Sequence, residues 1–229
     1  FHGKKHPSQL GMEEVNGFLT HLAAQREGAA STQNQALSAI LFLYKEVLNQ
    51  ELGWLEGFER AKRPARLPVV LSPTEVRGVL AHLDGAMWLM ASLLYGAGPR
   101  LMECVRLRVK DVDLDYRRVI VRDGKGRKDR ATMLPESVIE PLKRHLEKVK
   151  VLHEKGVDAG FGEVYLPFAL ERKYPNACRK WGWQYVFPAP RLSVDPRSGK
   201  ERRHHVDEKR LQRAMKAAVT TSSVVPASH

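Results

Sequence analysis

The chain has 229 residues, of which 43% are apolar, enough to build a packed core of one or two domains and to exclude wholesale disorder. Its 38 Lys and Arg against 26 Asp and Glu leave a net charge of +12, and residues 1–60 hold only five of the basic residues against seven acidic ones. The excess over residues 61–229 points to a polyanionic partner, most often nucleic acid, with a plain basic domain as the alternative.

Residues 13–24 read as a helix with Val15, Phe18, Leu19 and Leu22 on one face. Residues 32–49 read as a stronger one, with Ala36, Leu37, Ile40, Leu41, Leu43, Tyr44, Val47 and Leu48 forming its apolar stripe. Together, 1–60 suit the end of a helical domain. Residues 61–70 combine two prolines with basic residues and no acid, which suits a linker. Ser72-Pro73-Thr74-Glu75 is a capping box and should open a helix running to about Leu83. An apolar helix follows over 86–95. Its surroundings, Met87 to Gly98, are too short to span a bilayer, which takes roughly 20 residues.

Gly96-Ala97-Gly98 breaks that helix, and a short one should run from Pro99 to about Leu107. Residues 111–134 change period and read as three short strands in an antiparallel meander. Ser137 should cap a long helix, stopped by Gly156. Residues 157–203 are irregular, with aromatic and basic residues interleaved, and 206–219 form a last basic helix. The final ten residues, TTSSVVPASH, have no periodicity. Cys104 and Cys178 lack metal-ligand spacing, so neither a zinc site nor a disulfide framework is expected, and the usage suits a reducing, cytoplasmic setting. No signal peptide is legible. The chain begins at Phe1 rather than Met, which reads as a fragment.

Two clusters carry chemistry. In Gly98-Pro99-Arg100-Leu101-Met102-Glu103, an arginine follows a glycine break at a helix start, where its planar fork can meet a phosphate. Glu103, one turn on, can orient it; the plain alternative is a surface ion pair of little consequence. Gly124-Lys125-Gly126-Arg127-Lys128-Asp129-Arg130 is a basic hairpin tip that lets backbone approach a phosphate and offers an ammonium as a proton donor. The plain alternative is a solvated turn.

In combination, the capping-box helix, the apolar helix, G-x-R-x-x-E, L-x-x-x-D, the meander, and G-K-G-x-K-x-R before Met133-Leu134-Pro135 resemble the catalytic domain of tyrosine recombinases, the phage-integrase family. Residues 169–175 (ALERKYP), 186–187 and 195–205 (DPRSGKERRHH), within an insert at about 157–205, resemble the integron integrases of that family. The resemblance implies an α+β, mostly helical fold. It places the end of a helical, SAM-like core-binding domain over 1–60, a basic linker over 61–70 and a partial catalytic domain over 71–229.

It also implies cleavage of DNA by a tyrosine, through a 3′-phosphotyrosyl link, with no metal or other cofactor. Arg100 matches the family's first catalytic arginine, Lys125 its hairpin lysine, and Glu103 the acidic residue behind the arginine. Lys128 and Arg130 would line the backbone. In the insert, Trp183, His204 and His205, with Arg202 and Arg203, supply flat faces and cations for bases protruding from folded single-stranded hairpins. Trp181 and Pro190 would help, and the alternative is a packing role. The implied partners are DNA and a tetrameric assembly that moves gene cassettes, with no membrane.

Two departures stand out. Pro99 occupies a position the family gives to Leu or Met, and is expected at the first helical position. None of the nine histidines is followed three residues later by Arg, and the six tyrosines all lie at or before Tyr185. The nucleophile, the second arginine and two acid/base groups are therefore expected to be missing and the chain inactive. The competing reading is a non-catalytic DNA- or RNA-binding protein.

Overall fold

The computed structural model describes residues 3, 5–24, 30–50, 70–122, 128–167 and 170–222. The chain divides into two compact units, residues 1–68 and 69–228. The basic linker, except Val70, and the hairpin tip with Lys125 lie outside the described residues, as do 223–229.

In the first unit, α1 (Met12–Ala24) packs on α2 (Ala30–Phe42), which continues into a wider π turn over Leu43–Val47. The apolar stripes meet in large part: Val15, Leu19, Leu37 and Tyr44 are buried, with Phe18, Ala36, Ile40, Leu43 and Leu48 around them, whereas Leu41 and Val47, expected in the stripe, are exposed. The Tyr44 hydroxyl donates toward the Pro7 and Leu10 carbonyls at 2.6 and 2.9 Å, tying the entering chain to the helix pair.

The second unit begins with α3 (Pro73–Leu80). The Ser72 hydroxyl accepts from the Glu75 N–H, and the Glu75 carboxylate accepts from the Ser72 N–H, so the capping box forms in full. Helix α4 (Gly85–Ala97) is buried over Leu89, Met90, Ala91, Ser92 and Leu93, which explains its nearly unbroken apolar sequence. After α5 (Leu101–Val105) come β1 (Val112–Asp113), β2 (Arg118–Val121) and β3 (Arg130–Met133), an antiparallel sheet in the order β1-β2-β3. Val112 pairs with Val119, and Val121 with Arg130 at the mouth of the hairpin.

Helix α6 (Glu136–Asp158) starts and ends differently from the sequence reading. Pro135, not Ser137, is the residue before the helix, because its ring sits against Gly96 and turns the chain there. A Cβ on Gly96 would lie 2.3 Å from Pro135 Cγ, so this close approach requires glycine. Gly156 lies inside α6 and does not stop it. The stop is Gly160, at φ 84°, with the Phe161 N–H donating to the Gly156 carbonyl and the Gly160 N–H to that of Val157.

The insert contains α7 (Leu170–Lys173) and a small hairpin of β4 (Ser193–Val194) and β5 (Glu201–Arg202). Helix α8 (Glu208–Thr221) follows, capped by Asp207. One core joins α4, α5, β2, α6 and α8 through Met90, Leu93, Val105, Val119, Val138, Leu142 and Leu211, and takes in Val186 and Phe187 from the insert. Among the described residues no helix is long and apolar enough to cross a membrane.

Candidate nucleic-acid interface

The Arg100 site is built by the junction of α4 and α5. Gly98 ends α4 with φ 66°, a conformation glycine adopts without strain. Pro99 is not the first helical residue: Arg100 caps α5 and the helix begins at Leu101, so the proline fixes the chain one step before the cap. The Arg100 N–H donates to Glu103 Oε2 at 2.7 Å, and its Nη1 to Oε1 at 2.8 Å. Glu103 thus holds both the backbone and the side chain of Arg100.

Strand β3 supplies a second grip. Arg130 binds Glu103 with both ends of its fork, at 2.6 Å to Oε2 and 3.1 Å to Oε1. The Arg130 hydrogen bonds, then those of Arg100, hold the Glu103 carboxyl down at about 2 against the opposing effect of burial. The Glu103 side chain is 11% exposed and that of Arg100 55%. The carboxylate is therefore inside and the guanidinium outside. Among the described residues, Gly98, Arg100, Lys128 and Arg130 line an open cleft with no carboxylate at its wall, Arg130 with its fork turned to Glu103. Such a cleft suits a phosphodiester. The Thr132 hydroxyl donates to the Ala97 carbonyl at 2.6 Å, fixing β3 to the end of α4 beside it.

A second buried carboxylate, Asp111, accepts from Arg122 Nε at 2.6 Å, and Arg122 also reaches Asp129 across the base of the hairpin. Asp111 carries a weaker bond from the Lys110 ammonium at 3.4 Å. That ammonium lies 4.2 Å from the centre of the Trp183 ring. The stem of the basic hairpin is thus joined through Arg122, Asp111 and Lys110 to the insert.

The insert's predicted residues divide. Trp183 is half-buried, packed beside Leu166, Ala177 and Cys178 and covered on one side by Lys110. Trp181 faces His153 at 5.9 Å between ring centres. His204 stacks on Tyr185 at 6.3 Å, and His205 meets the edges of both rings. Both histidines remain partly exposed. Burial lowers the pKa of His204, followed by the effect of His205. Arg203 is only partly free, since its Nη1 donates to the carbonyls of Ala189 and Pro190.

Arg202 is a correction. Its side chain is 1% exposed, paired with Glu171 at 2.8 Å and lying 3.8 Å from the buried Asp195. It points into the insert and does not reach a surface phosphate. Strand parity explains the difference, since consecutive residues of β5 and its continuation face opposite sides.

Arg108, which no sequence pattern marks as functional, organises the insert. It is buried, with its guanidinium carbon 3.8 Å from the centre of the Tyr185 ring. It donates to the carbonyls of Trp183 and Tyr165 at 2.7 and 2.8 Å and to the Tyr185 hydroxyl at 3.1 Å. Leu107 and Val109 bond the backbone of Val186 and Gln184 in the same stretch. The only sequence signal was an arginine inside an apolar L-R-V run.

Comparison with known proteins finds matches over nearly all of the chain. The profile described as phage integrase, N-terminal SAM-like domain, matches residues 1–54, and that described as phage integrase family matches 70–229. An "Integrase/recombinase" of Escherichia coli is 48% identical over 224 residues, covering 98% of this chain and 66% of that protein. One of Pseudomonas aeruginosa matches equally. The chain thus spans just under two thirds of these relatives. "Tyrosine recombinase XerA" of Thermococcus onnurineus is 35% identical over 136 residues, covering 57% of this chain and 46% of its own. Among solved structures, the XerH site-specific recombinase bound to palindromic difH substrate shares the fold, with TM-score 0.59, 16% identity, and coverage of 96% of this chain and 58% of that one. A meander framed by α4–α6, an arginine cap backed by Glu103 and these matches lead to one assignment: the chain belongs to the phage integrase family of tyrosine recombinases.

Proposed function

We propose that the chain grips DNA and holds a backbone phosphate as part of a site-specific recombinase of the integron type, in the bacterial cytoplasm, without itself supplying the nucleophile. The observation that carries this is Arg100: one of its nitrogens is fixed by Glu103, while its side chain stays more than half exposed over a cleft shared with Lys128 and Arg130. Guanidinium donors so placed would stabilise the charge that builds on phosphate oxygens when a tyrosine oxygen attacks phosphorus and the bond to the 5′ oxygen breaks. Lys125 would give that leaving oxygen its proton. The new phosphotyrosyl bond replaces the old ester, so rejoining needs no other energy source.

Three of the six tyrosines have other partners, and none of the six, the exposed Tyr95, Tyr116 and Tyr174 included, is assigned as the nucleophile. Tyr185 is buried under Arg108, the Tyr44 hydroxyl bonds two carbonyls in the other unit, and the Tyr165 hydroxyl accepts from Arg197. His204, His205 and Trp183 would receive bases that protrude from a folded hairpin within a tetrameric complex exchanging gene cassettes. A base arriving on the covered side of Trp183 takes the place of the Lys110 ammonium, which then lies beside the backbone it comes from.

Binding to a fluorescent hairpin, followed by anisotropy, tests the grip. Affinity should fall roughly 10³-fold between about 50 and 200 mM salt if six or so phosphates are neutralised. Arg100→Ala should weaken binding modestly, as one contact among several. No SDS-resistant adduct should form. An adduct lost on changing one of the six tyrosines would overturn the assignment of the nucleophile, and salt-independent binding would overturn the phosphate grip.

A further inference from the structure

We propose that Arg130 is a positioning residue: from β3 it fastens the Glu103 carboxylate, so that Arg100 offers the open side of its guanidinium to a DNA phosphate. The inference rests on the reading of Arg100 as a phosphate ligand and assigns a separate task to its neighbour.

The two arginines are bound unequally. Glu103 receives four hydrogen bonds, two on each oxygen: from the Arg100 N–H and Arg130 Nη2 on Oε2, and from Arg100 Nη1 and Arg130 Nη1 on Oε1. Each carboxylate oxygen has about two lone-pair sites, so its capacity is filled. Arg130 applies both arms of its fork to this single partner. Among the described residues, the Arg100 guanidinium engages a partner only through Nη1, which leaves its other nitrogens for a ligand.

The consequence concerns where Arg100 points. A carboxylate attracts a nearby guanidinium into the two-bond geometry of a closed pair. Were Oε2 not occupied by Arg130, Glu103 would be free to draw Arg100 into that pair and away from the cleft. With Arg130 in place, Arg100 is held by one bond from its side chain and one from its backbone, which orients it without closing it. Arg130 stands opposite Val121 at the mouth of the β2–β3 hairpin, and Thr132 two residues on bonds the Ala97 carbonyl. The clamp is therefore anchored in the sheet and reaches α5 from outside its own helix. A lysine could not replace it, because one ammonium cannot match both oxygens in a plane.

The test uses the 229-residue chain. Carboxyl carbon NMR first follows the titration of Glu103 without DNA. Arg130→Met should raise its proton affinity roughly tenfold or more, and Arg130→Lys by less. Affinity for the fluorescent hairpin is then measured for Arg130→Met, Arg100→Ala and the double variant. A positioning role predicts that the double variant binds no more weakly than Arg100→Ala, since Arg130 acts only through Arg100. Losses that multiply would make Arg130 an independent phosphate contact and overturn the proposal.

Thr132→Val loosens the same junction without touching Glu103, and should leave both readouts close to the unaltered chain. If it reproduces Arg130→Met, the effect is general loosening and the proposal fails. If Glu103 titrates as expected but Arg100→Ala and Arg130→Met bind DNA like the unaltered chain, Arg100 is not a phosphate ligand. The purpose given to Arg130 then falls with that reading, although the clamp on Glu103 is real.

Discussion

Replacing Arg202 with Met should loosen the insert and leave the cleft at Arg100 intact. Arg202 is 1% exposed, and its guanidinium lies between Glu171 and the buried Asp195. Removing one partner of a buried ion pair costs about 3–5 kcal/mol, because the other charge stays behind without compensation. Two features lower that cost here. Glu171 is 39% exposed, so water can replace its partner, and Asp195 also accepts from the Arg197 N–H at 3.0 Å. The expected loss is therefore about 2–3 kcal/mol, or roughly 4–12 °C in Tm for a unit of this size. Adding Asp195→Asn removes the stranded charge and should recover about half of the loss or more. Urea and thermal melts read by tryptophan fluorescence are suitable, since Trp181 and Trp183 report on the insert. An Arg202→Met chain as stable as the unaltered one, but with weaker hairpin binding and a shallower salt dependence, would refute the burial argument and return Arg202 to the DNA surface.

Other outcomes follow from the charges. Burial lowers the pKa values of His145 and His204, so below their ordinary value the unfolded chain binds more protons than the folded one. Stability in urea should therefore fall as pH drops from about 7 toward 5, and His145→Gln should flatten that slope; an unchanged profile would count against it. The Glu103 carboxyl, held at about 2, adds stability that is complete above the ordinary carboxylate range and is lost as pH falls through that value. Glu103→Gln should reduce this acid limb, to which Glu163 and Asp195 also contribute, while leaving the histidine slope. Burial pushes the Cys104 thiol up to about 12, so a thiol reagent should modify it only after unfolding; rapid reaction in the native chain would place it nearer the surface.

The helices were legible because burial imposed a period on them. Val15, Leu19 and Leu37 recur at helical spacing and are the residues buried, and the Ser72 box is a local device complete within four residues. The ends of α6 were less legible, since they depend on a distant neighbour. Pro135 is placed by Gly96, about forty residues earlier in the chain, and Gly156 is carried through by the cap at Gly160. Of the candidate site, the pairing of Arg100 with Glu103 could be read from one turn of helix, whereas the fork from Arg130 comes from another element. The insert was the hardest part. Arg108 holds it through carbonyl oxygens of Tyr165 and Trp183, and any residue can supply a carbonyl, so no side-chain pattern marks the partners. Arg202 and Arg203 read as a basic pair, but the β4–β5 hairpin sends the first inward and only the second toward the surface.

The most direct test of DNA recognition compares the affinity of the unaltered chain for a folded hairpin with and without protruding bases, at one salt concentration. Stacking a base on an aromatic or imidazole face contributes roughly 1–3 kcal/mol, about five- to 150-fold in affinity. Removing the protruding bases should weaken binding at least several-fold, and His205→Ala or Trp183→Ala should erase most of this difference while plain duplex still binds through Arg100, Lys128 and the other cations. Equal affinity for the two hairpins would contradict base recognition, leaving Trp183, His204 and His205 as the packing of the insert around Tyr185 and Lys110.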